Sequence, residues 1–151
     1  MSTILMSIKP EYVDKIFSGK KKYEYRKRTC KEKIDRIVVY SSFPIQKVVG
    51  ELKIKQVLKD KKDVIWNKTN KYGGITKTKY DKYYENCSYA VAYEIEKAIL
   101  YDKQKDLKDF NVRTAPQSYV YITNKGVEWD EWKIKYKLVE NNLVKTNSKS
   151  L

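Results

Sequence analysis

The chain is a strongly basic sequence of 151 residues, in which 33 Lys and Arg outnumber 19 Asp and Glu to give a net charge of +14. This length is typical of one ordinary domain, so we expect no second catalytic domain. The charge makes a polyanion the first partner to consider, although an AT-rich genome would also enrich Lys, Ile and Tyr.

The residue types that are missing exclude several chemistries. The sequence has no His, which rules out Ser-His-Asp and Cys-His catalysis, His-ligated zinc and the zinc-deaminase signature. Cys30 and Cys87 lie far apart, each without a neighbouring Cys, so neither a C-x-x-C motif nor a Cys-rich metal site is predicted. We therefore expect no metal and no cofactor. Cysteine usage, the lack of an apolar run of about 20 residues and the lack of a secretory signal predict a soluble, cytoplasmic protein without a membrane partner.

The spacing of apolar residues predicts strands interrupted by short helices. A β-rich run, Thr3 to Ile8, ends at Lys9-Pro10, and Pro suits the first turn of a helix. That helix is predicted to continue to a stop at Gly19. Further strands are predicted by alternation or β-rich composition at Lys22 to Arg28, Ile34 to Tyr40, Lys47 to Leu58, Ser88 to Ile95, Ser118 to Thr123 and Trp132 to Leu138.

Between Asp60 and Asn86 the pattern becomes polar and helical, with Gly73-Gly74 separating two short pieces. Thr76 is a plausible N-cap of the second piece, whose three tyrosines are spaced to pack against the sheet: Tyr80, Tyr83 and Tyr84. The predicted fold class is α+β, a mixed β-barrel of five to seven strands flanked by two to four short helices. We expect a single domain over residues 1–140 and a flexible tail over residues 141–151.

The N-terminal third contains the pattern G-x-K-x-x-E-x-R, which Gly19, Lys21, Glu24 and Arg26 meet without a gap. It follows a strand, Lys-Pro, an amphipathic helix and a glycine stop, and it precedes a strand ending YSS, a strand containing VVGE and the later segment APQSYVYI. In this context the chain resembles the ASCH domains, which belong to the superfamily of PUA-like β-barrels. The resemblance covers roughly residues 3–123. It implies a cleft between the first helix and the barrel mouth, of a kind associated with RNA, modified bases or, in one enzymatic branch, acylated cytidine.

The resemblance also implies that Lys21, Glu24 and Arg26 form the centre of the site. Lys21 and Arg26 would bind a phosphate or a base, while Glu24 would orient Arg26 or accept a hydrogen bond from an exocyclic amine. Strand alternation places Lys21 on the opposite face from Glu24 and Arg26, so the three converge only if Lys21 lies in the turn after Gly19 or beside a bulge. The alternative interpretation is a row of alternating charges on a solvated strand.

Other candidate binding residues lie where the predicted strands end. Lys9 precedes the first helix, whose N-terminal N–H groups favour anions. The polar pairs Ser41-Ser42 and Gln117-Ser118 would recognise the edge of a base, or serve only as turn and cap residues. The abundant tyrosines would supply stacking surfaces where exposed, although their spacing also suits a core.

Two functions remain open on the sequence. The first is a nucleic-acid-binding module that recognises RNA or a single-stranded or modified base through a basic cleft, with a regulatory role or a free nucleotide as further options. The alternative is a hydrolase, an amidohydrolase or ribonuclease, in which Lys21 and Glu24 act as base and acid. In the amidohydrolase branch a Thr nucleophile stands at the position of Glu24, so that nucleophile is missing here. The sequence does not predict the oligomeric state.

Overall fold

A computed structural model describes residues 1–123, which form one six-stranded mixed sheet flanked by three helices. The strands are β1 (Ser2–Ile8), β2 (Tyr23–Arg26), β3 (Ile34–Ser41), β4 (Lys47–Lys61), β5 (Tyr89–Lys105) and β6 (Tyr119–Ile122). The helices are α1 (Pro10–Phe17), α2 (Lys62–Thr69) and α3 (Lys77–Tyr83). Within the described residues, this confirms the predicted α+β, PUA-like class. The predicted strand at Trp132 to Leu138 and the predicted tail at 141–151 lie outside them.

The strands follow the order β2-β5-β4-β3-β1-β6, with β1 and β3 parallel and every other neighbouring pair antiparallel. The longest strands, β4 and β5, have 15 and 17 residues, and their pairing contains three register shifts. Such bulges increase the local twist and bend a sheet. The two edge strands, β2 and β6, are not joined by backbone pairing in the part of the chain that the structure describes. Within the described residues the sheet is therefore not closed into the predicted barrel, and it is open along one seam between these edges.

Side chains cross this seam where backbone pairing does not. The Arg26 side chain, at the end of β2, donates from Nη2 to the Ser7 carbonyl of β1 at 2.8 Å. Its Nη1 lies 3.4 Å from Oγ of Ser118, the residue that precedes β6. The Ser7 side chain donates to the Pro116 carbonyl at 2.7 Å, which holds the segment before β6 against β1. The seam thus brings β1, β2 and the approach to β6 together around Arg26.

The first helix follows its sequence signals closely. Pro10 occupies its first turn, Lys9 before it is extended, and Val13, Ile16 and Phe17 are buried. The helix ends at Phe17 with Ser18 as its C-cap, and Gly19 adopts a left-handed φ of 82° that favours glycine. The amide of residue 21 then donates to the Lys15 carbonyl at 3.0 Å. The turn therefore winds back onto α1 before β2 begins.

The helical insert between β4 and β5 differs from expectation in one respect. Thr76 caps α3 as predicted, because its hydroxyl accepts a hydrogen bond from the Lys79 amide at 3.2 Å. Tyr80 and Tyr84 are buried, with rings 4.7 Å apart. Tyr83 was predicted to pack against the sheet with them, but 38% of it is exposed. Its ring lies under the Lys27 ammonium, 4.9 Å from the centroid, and packs edge-on against Tyr84 with 4.8 Å between the ring centroids.

Candidate nucleic-acid interface

The turn after α1 brings the three motif residues together. Because β2 begins only at Tyr23, Lys21 lies in the preceding turn, where side chains need not alternate between the two faces of the sheet. Its Nζ lies 3.9 Å from Oε1 of Glu24. The other carboxylate oxygen of Glu24 accepts from Arg26, at 3.1 Å from Nε and 2.9 Å from Nη2. The convergence through the turn, which the sequence left conditional, is therefore what the structure shows. Glu24 is 5% exposed, so this is a buried carboxylate with a cation on either side.

Lys21 is the most deeply buried of these three residues. It is 3% exposed, and its Nζ donates to the Gly73 carbonyl at 2.7 Å. Its ammonium also lies 5.2 Å and 4.7 Å from the ring centroids of Tyr12 and Tyr25. Burial lowers the pKa of Lys21 to about 8, Glu24 opposes that shift, and the positive charges of Lys15 and Arg26 add to it. Lys21 therefore lies beside Glu24 on the side of the protein interior and is not part of an open cleft.

The loop between α2 and α3 covers Lys21, and glycine is required there. A Cβ on Gly73 would stand 2.3 Å from the hydroxyl of Tyr25. Gly74 has a φ of +65°, and a Cβ on it would stand 2.7 Å from Cβ of Lys21. The sequence marked Gly73-Gly74 only as a separator between helical pieces. The structure shows that the pair permits a close approach of backbone to the Lys21 side chain.

Two clefts meet at Arg26 and Gln117. The first, of about 430 Å³, is called the Lys9 cleft and is lined among others by Ser7, Lys9, Arg26, Ser42, Phe43 and Gln117. The second, of about 620 Å³, is called the Lys31 cleft and is lined among others by Arg26, Lys27, Arg28, Lys31, Tyr83 and Gln117. Because both clefts share Arg26 and Gln117, they form one continuous surface along the seam.

The charge of this surface is of one sign. Among the described residues that line the two clefts there is no carboxylate. Glu24, buried behind Arg26, lines neither. The cations are Lys9, Arg26, Lys27, Arg28 and Lys31. Such an arrangement attracts a polyanion, while the Glu24 carboxylate holds the Arg26 guanidinium in one orientation.

The remaining predicted binding residues divide between this surface and another. Lys9 and Ser42 line the Lys9 cleft, Ser118 lines the Lys31 cleft, and Gln117 lines both. Ser41 is only 2% exposed and lines a different cleft, beside α1. Ser41 is the last residue of β3 and Ser42 follows the strand, so neighbouring serines reach different clefts. Ser41 is thus separated from the other candidates.

The sequence did not single out Phe43, which lines the Lys9 cleft and is 78% exposed. The flanking serines and Pro44 indicate a turn, but they do not indicate whether its aromatic ring is exposed. The described residues contain no cluster of three or more Cys, Asp or Glu placed to hold a metal ion. None of the helices in the described residues is long and apolar enough to cross a membrane.

Comparison with known proteins identifies the family of this fold. The model of the ASCH domain matches residues 6–99. The structure superposes on that of a Tyr-to-Phe variant of the ASCH protein from Zymomonas mobilis with a TM-score of 0.74 and 21% sequence identity, over 83% of this chain and 92% of that one. The chain belongs to the ASCH domain family.

Two curated relatives are similar to this chain over part of their length. The chain is 34% identical over 121 residues to the large ribosomal subunit protein uL22 of Ureaplasma parvum serovar 3, covering 80% of this chain but 39% of that protein. It is 26% identical over 90 residues to an ASCH domain-containing ribonuclease of Zymomonas mobilis, covering 59% of this chain and 61% of the ribonuclease. The chain therefore spans only part of each relative.

Proposed function

We propose that this protein binds single-stranded nucleic acid, RNA or a strand with an unpaired or modified base, across the Lys9 and Lys31 clefts. The observation that carries the proposal is the continuous surface with five cations and no carboxylate among its described lining residues. Membership of the ASCH family, whose relatives include a protein named as a ribonuclease, supports a nucleic-acid partner. We place the binding in the cytoplasm, the reducing compartment that suits a chain with two cysteines far apart in sequence.

The surface offers separate groups for backbone and base. The four cations that flank Arg26 are suited to phosphates, because Lys and Arg side chains neutralise the backbone without regard to sequence. Arg26 is fixed by Glu24 and by the Ser7 carbonyl, so its guanidinium holds one direction at the junction of the clefts. The Gln117 amide lies at the same junction and has both donors and acceptors for a base edge.

A pair of cleft substitutions tests the proposal, and the control is a single lysine outside both clefts. Lys27→Ala with Lys31→Ala removes two cations from the Lys31 cleft, whereas Lys59→Ala removes an exposed lysine of β4 that lines neither cleft. Binding of a labelled oligouridine is measured by fluorescence anisotropy at several salt concentrations. We expect the double variant to bind more weakly, with a salt slope that is shallower by about 1.4, at about 0.7 per phosphate contact on a single strand. An equal loss of affinity for oligouridine in the double variant and in Lys59→Ala would contradict the proposal.

A free nucleotide is the other ligand that suits cations beside a polar pocket. The dependence of affinity on strand length distinguishes it from a nucleic acid. A strand that engages four or five cations binds more tightly as it grows from one nucleotide to about eight. We expect this rise for oligouridine. An affinity for uridine monophosphate equal to that for the oligonucleotide would favour the nucleotide.

A second candidate, a ribonuclease, is favoured by one specific observation. The pKa of Lys21 is lowered to about 8, mainly by burial, and its ammonium lies 3.9 Å from Glu24, whose other oxygen binds Arg26 at the clefts. A lysine of this kind is partly neutral near physiological pH, and because Lys21 lines neither cleft it would act as a base on bound RNA only through Glu24. Incubation of oligouridine with the protein and with Lys21→Met, followed by electrophoresis, tests this function. Cleavage of oligouridine by the wild type alone would support the ribonuclease. The same electrophoresis pattern with both proteins would rule it out and leave the binding proposal in place.

A further inference from the structure

Phe43 is exposed in a way that the fold does not require. The chain has three phenylalanines, and the other two, Phe17 and Phe110, are 7% and 3% exposed, whereas Phe43 is 78% exposed. Leaving an aromatic ring in water gives up the stabilisation that its burial would provide. Phe43 therefore contributes nothing comparable to the core.

The loop that carries Phe43 is hydrogen-bonded to the sheet at its first residue and closed on itself by a turn. The Ser42 amide donates to the Ile8 carbonyl at the end of β1, at 3.0 Å, and the Ile45 amide donates to the Ser42 carbonyl at 3.1 Å. These bonds place the loop beside the end of β1, next to Lys9. The ring is thus presented from a compact turn.

The surroundings of Phe43 combine an aromatic ring with positive charge. The ring lines the Lys9 cleft together with Lys9, Arg26 and Gln117, and no described residue of that lining is a carboxylate. Single-stranded nucleic acid is bound by this combination, in which cations hold the backbone and aromatic rings stack on bases. An apolar protein partner would match the ring but not the cations around it.

We propose that Phe43 is a base-stacking platform, on which one base of a strand bound along the Lys9 and Lys31 clefts lies. The inference rests on the proposed nucleic-acid function and adds where a base is held. Because stacking is insensitive to base identity, Phe43 contributes affinity, and the polar groups at Gln117 are left to discriminate.

Two substitutions and a matched control test the platform. Phe43→Ala removes the ring, Phe43→Trp keeps a stacking surface, and Tyr89→Ala removes an exposed aromatic, 52% accessible, that lines neither cleft. The probes are a labelled oligouridine of about 12 nucleotides and the same sugar-phosphate strand without bases. We expect Phe43→Ala to weaken oligouridine binding by about 5- to 150-fold, with Phe43→Trp and Tyr89→Ala within about twofold of the wild type.

The strand without bases separates stacking from a general effect on the fold. It should bind the wild type and Phe43→Ala equally, and the salt slope should be the same in both proteins because the ring carries no charge. If Phe43→Ala binds oligouridine as tightly as the wild type, while the wild type still shows salt-dependent binding, the platform is refuted and the proposed function stands. If Phe43→Ala weakens both strands equally, the ring acts through the fold and the platform is again refuted. If the wild type binds neither strand, both proposals fail.

Discussion

Replacing Lys21 with Met removes an ionisable group that the fold holds away from water. Burial lowers the pKa of Lys21 from 10.5 to about 8, so the unfolded chain binds this proton more tightly than the folded one. One pKa unit is worth about 1.4 kcal/mol, and the charged lysine therefore destabilises the fold by about 3 kcal/mol. This effect is fully present below the folded pKa and disappears as the pH rises through it toward the unfolded value of 10.5.

The sign of the prediction follows from this linkage. Between about pH 7 and pH 9.5, the free energy of unfolding of the wild type should rise by about 2 kcal/mol relative to that of Lys21→Met. Urea denaturation followed by circular dichroism at each pH measures the difference. The buried tyrosines Tyr25, Tyr80 and Tyr84, whose pKa values are raised mainly by burial, are present in both proteins, so their contribution cancels. Lys59→Met, at an exposed lysine, is the control, and its free energy of unfolding should change with pH in the same way as that of the wild type.

Parallel pH curves for the wild type and Lys21→Met would refute the reasoning, because they would mean that Lys21 titrates as a solvated lysine. Lys21 would then be open to solvent, and the contact of its Nζ with the Gly73 carbonyl would not persist in solution. A rise of the predicted size would show that the lysine is buried under Gly73-Gly74. Such a rise would also show that the amine behind Glu24 loses its charge at mildly basic pH.

Three further substitutions report on the contacts around the site, each measured by urea denaturation. Glu24→Gln leaves Arg26 without its carboxylate and should cost about 3 kcal/mol, since a half-buried charge loses its partner; a cost near zero would mean that the pair is solvated. Gly74→Ala forces a Cβ against Lys21 at a φ of +65° and should cost at least about 1–2 kcal/mol; an unchanged stability would contradict the close approach of the loop. Tyr84→Phe removes the hydroxyl that donates to the Arg26 carbonyl at 2.8 Å and should cost about 1 kcal/mol, and no loss would show that water replaces it.

The elements that local signals specify were predictable from the sequence. Pro10 and Gly19 mark the two ends of α1, and Thr76 marks the start of α3, because these residues act within one turn of themselves. The strand that begins at Tyr89 was predicted to end near Ile95 but continues to Lys105. After Ile95 the register shifts, and the sequence continues with the apolar run Ala98 to Tyr101, so no alternation marks the second half and pairing with β4 determines its length.

The composition of the site was predictable only in part. The motif indicated Lys21, Glu24 and Arg26, but which of them reaches solvent depends on the α2–α3 loop, 52 residues along the chain from Lys21. Likewise, the two clefts arise because β1, β2 and the approach to β6 meet at a seam, which no local pattern encodes. Phe43 was missed because exposure is a property of the assembled surface.

The central claim, that the joined clefts bind the backbone of a single strand, is tested most directly by the salt dependence of wild-type binding. Each phosphate contact contributes about 0.7 to the slope, so the five cations give about −3.5, or about −2.8 if Arg26 is neutralised by Glu24. Anisotropy of a labelled oligouridine across a range of salt concentrations should therefore give a slope of about −3 for log K against log salt. A slope near zero, or no binding at low salt, would contradict the account.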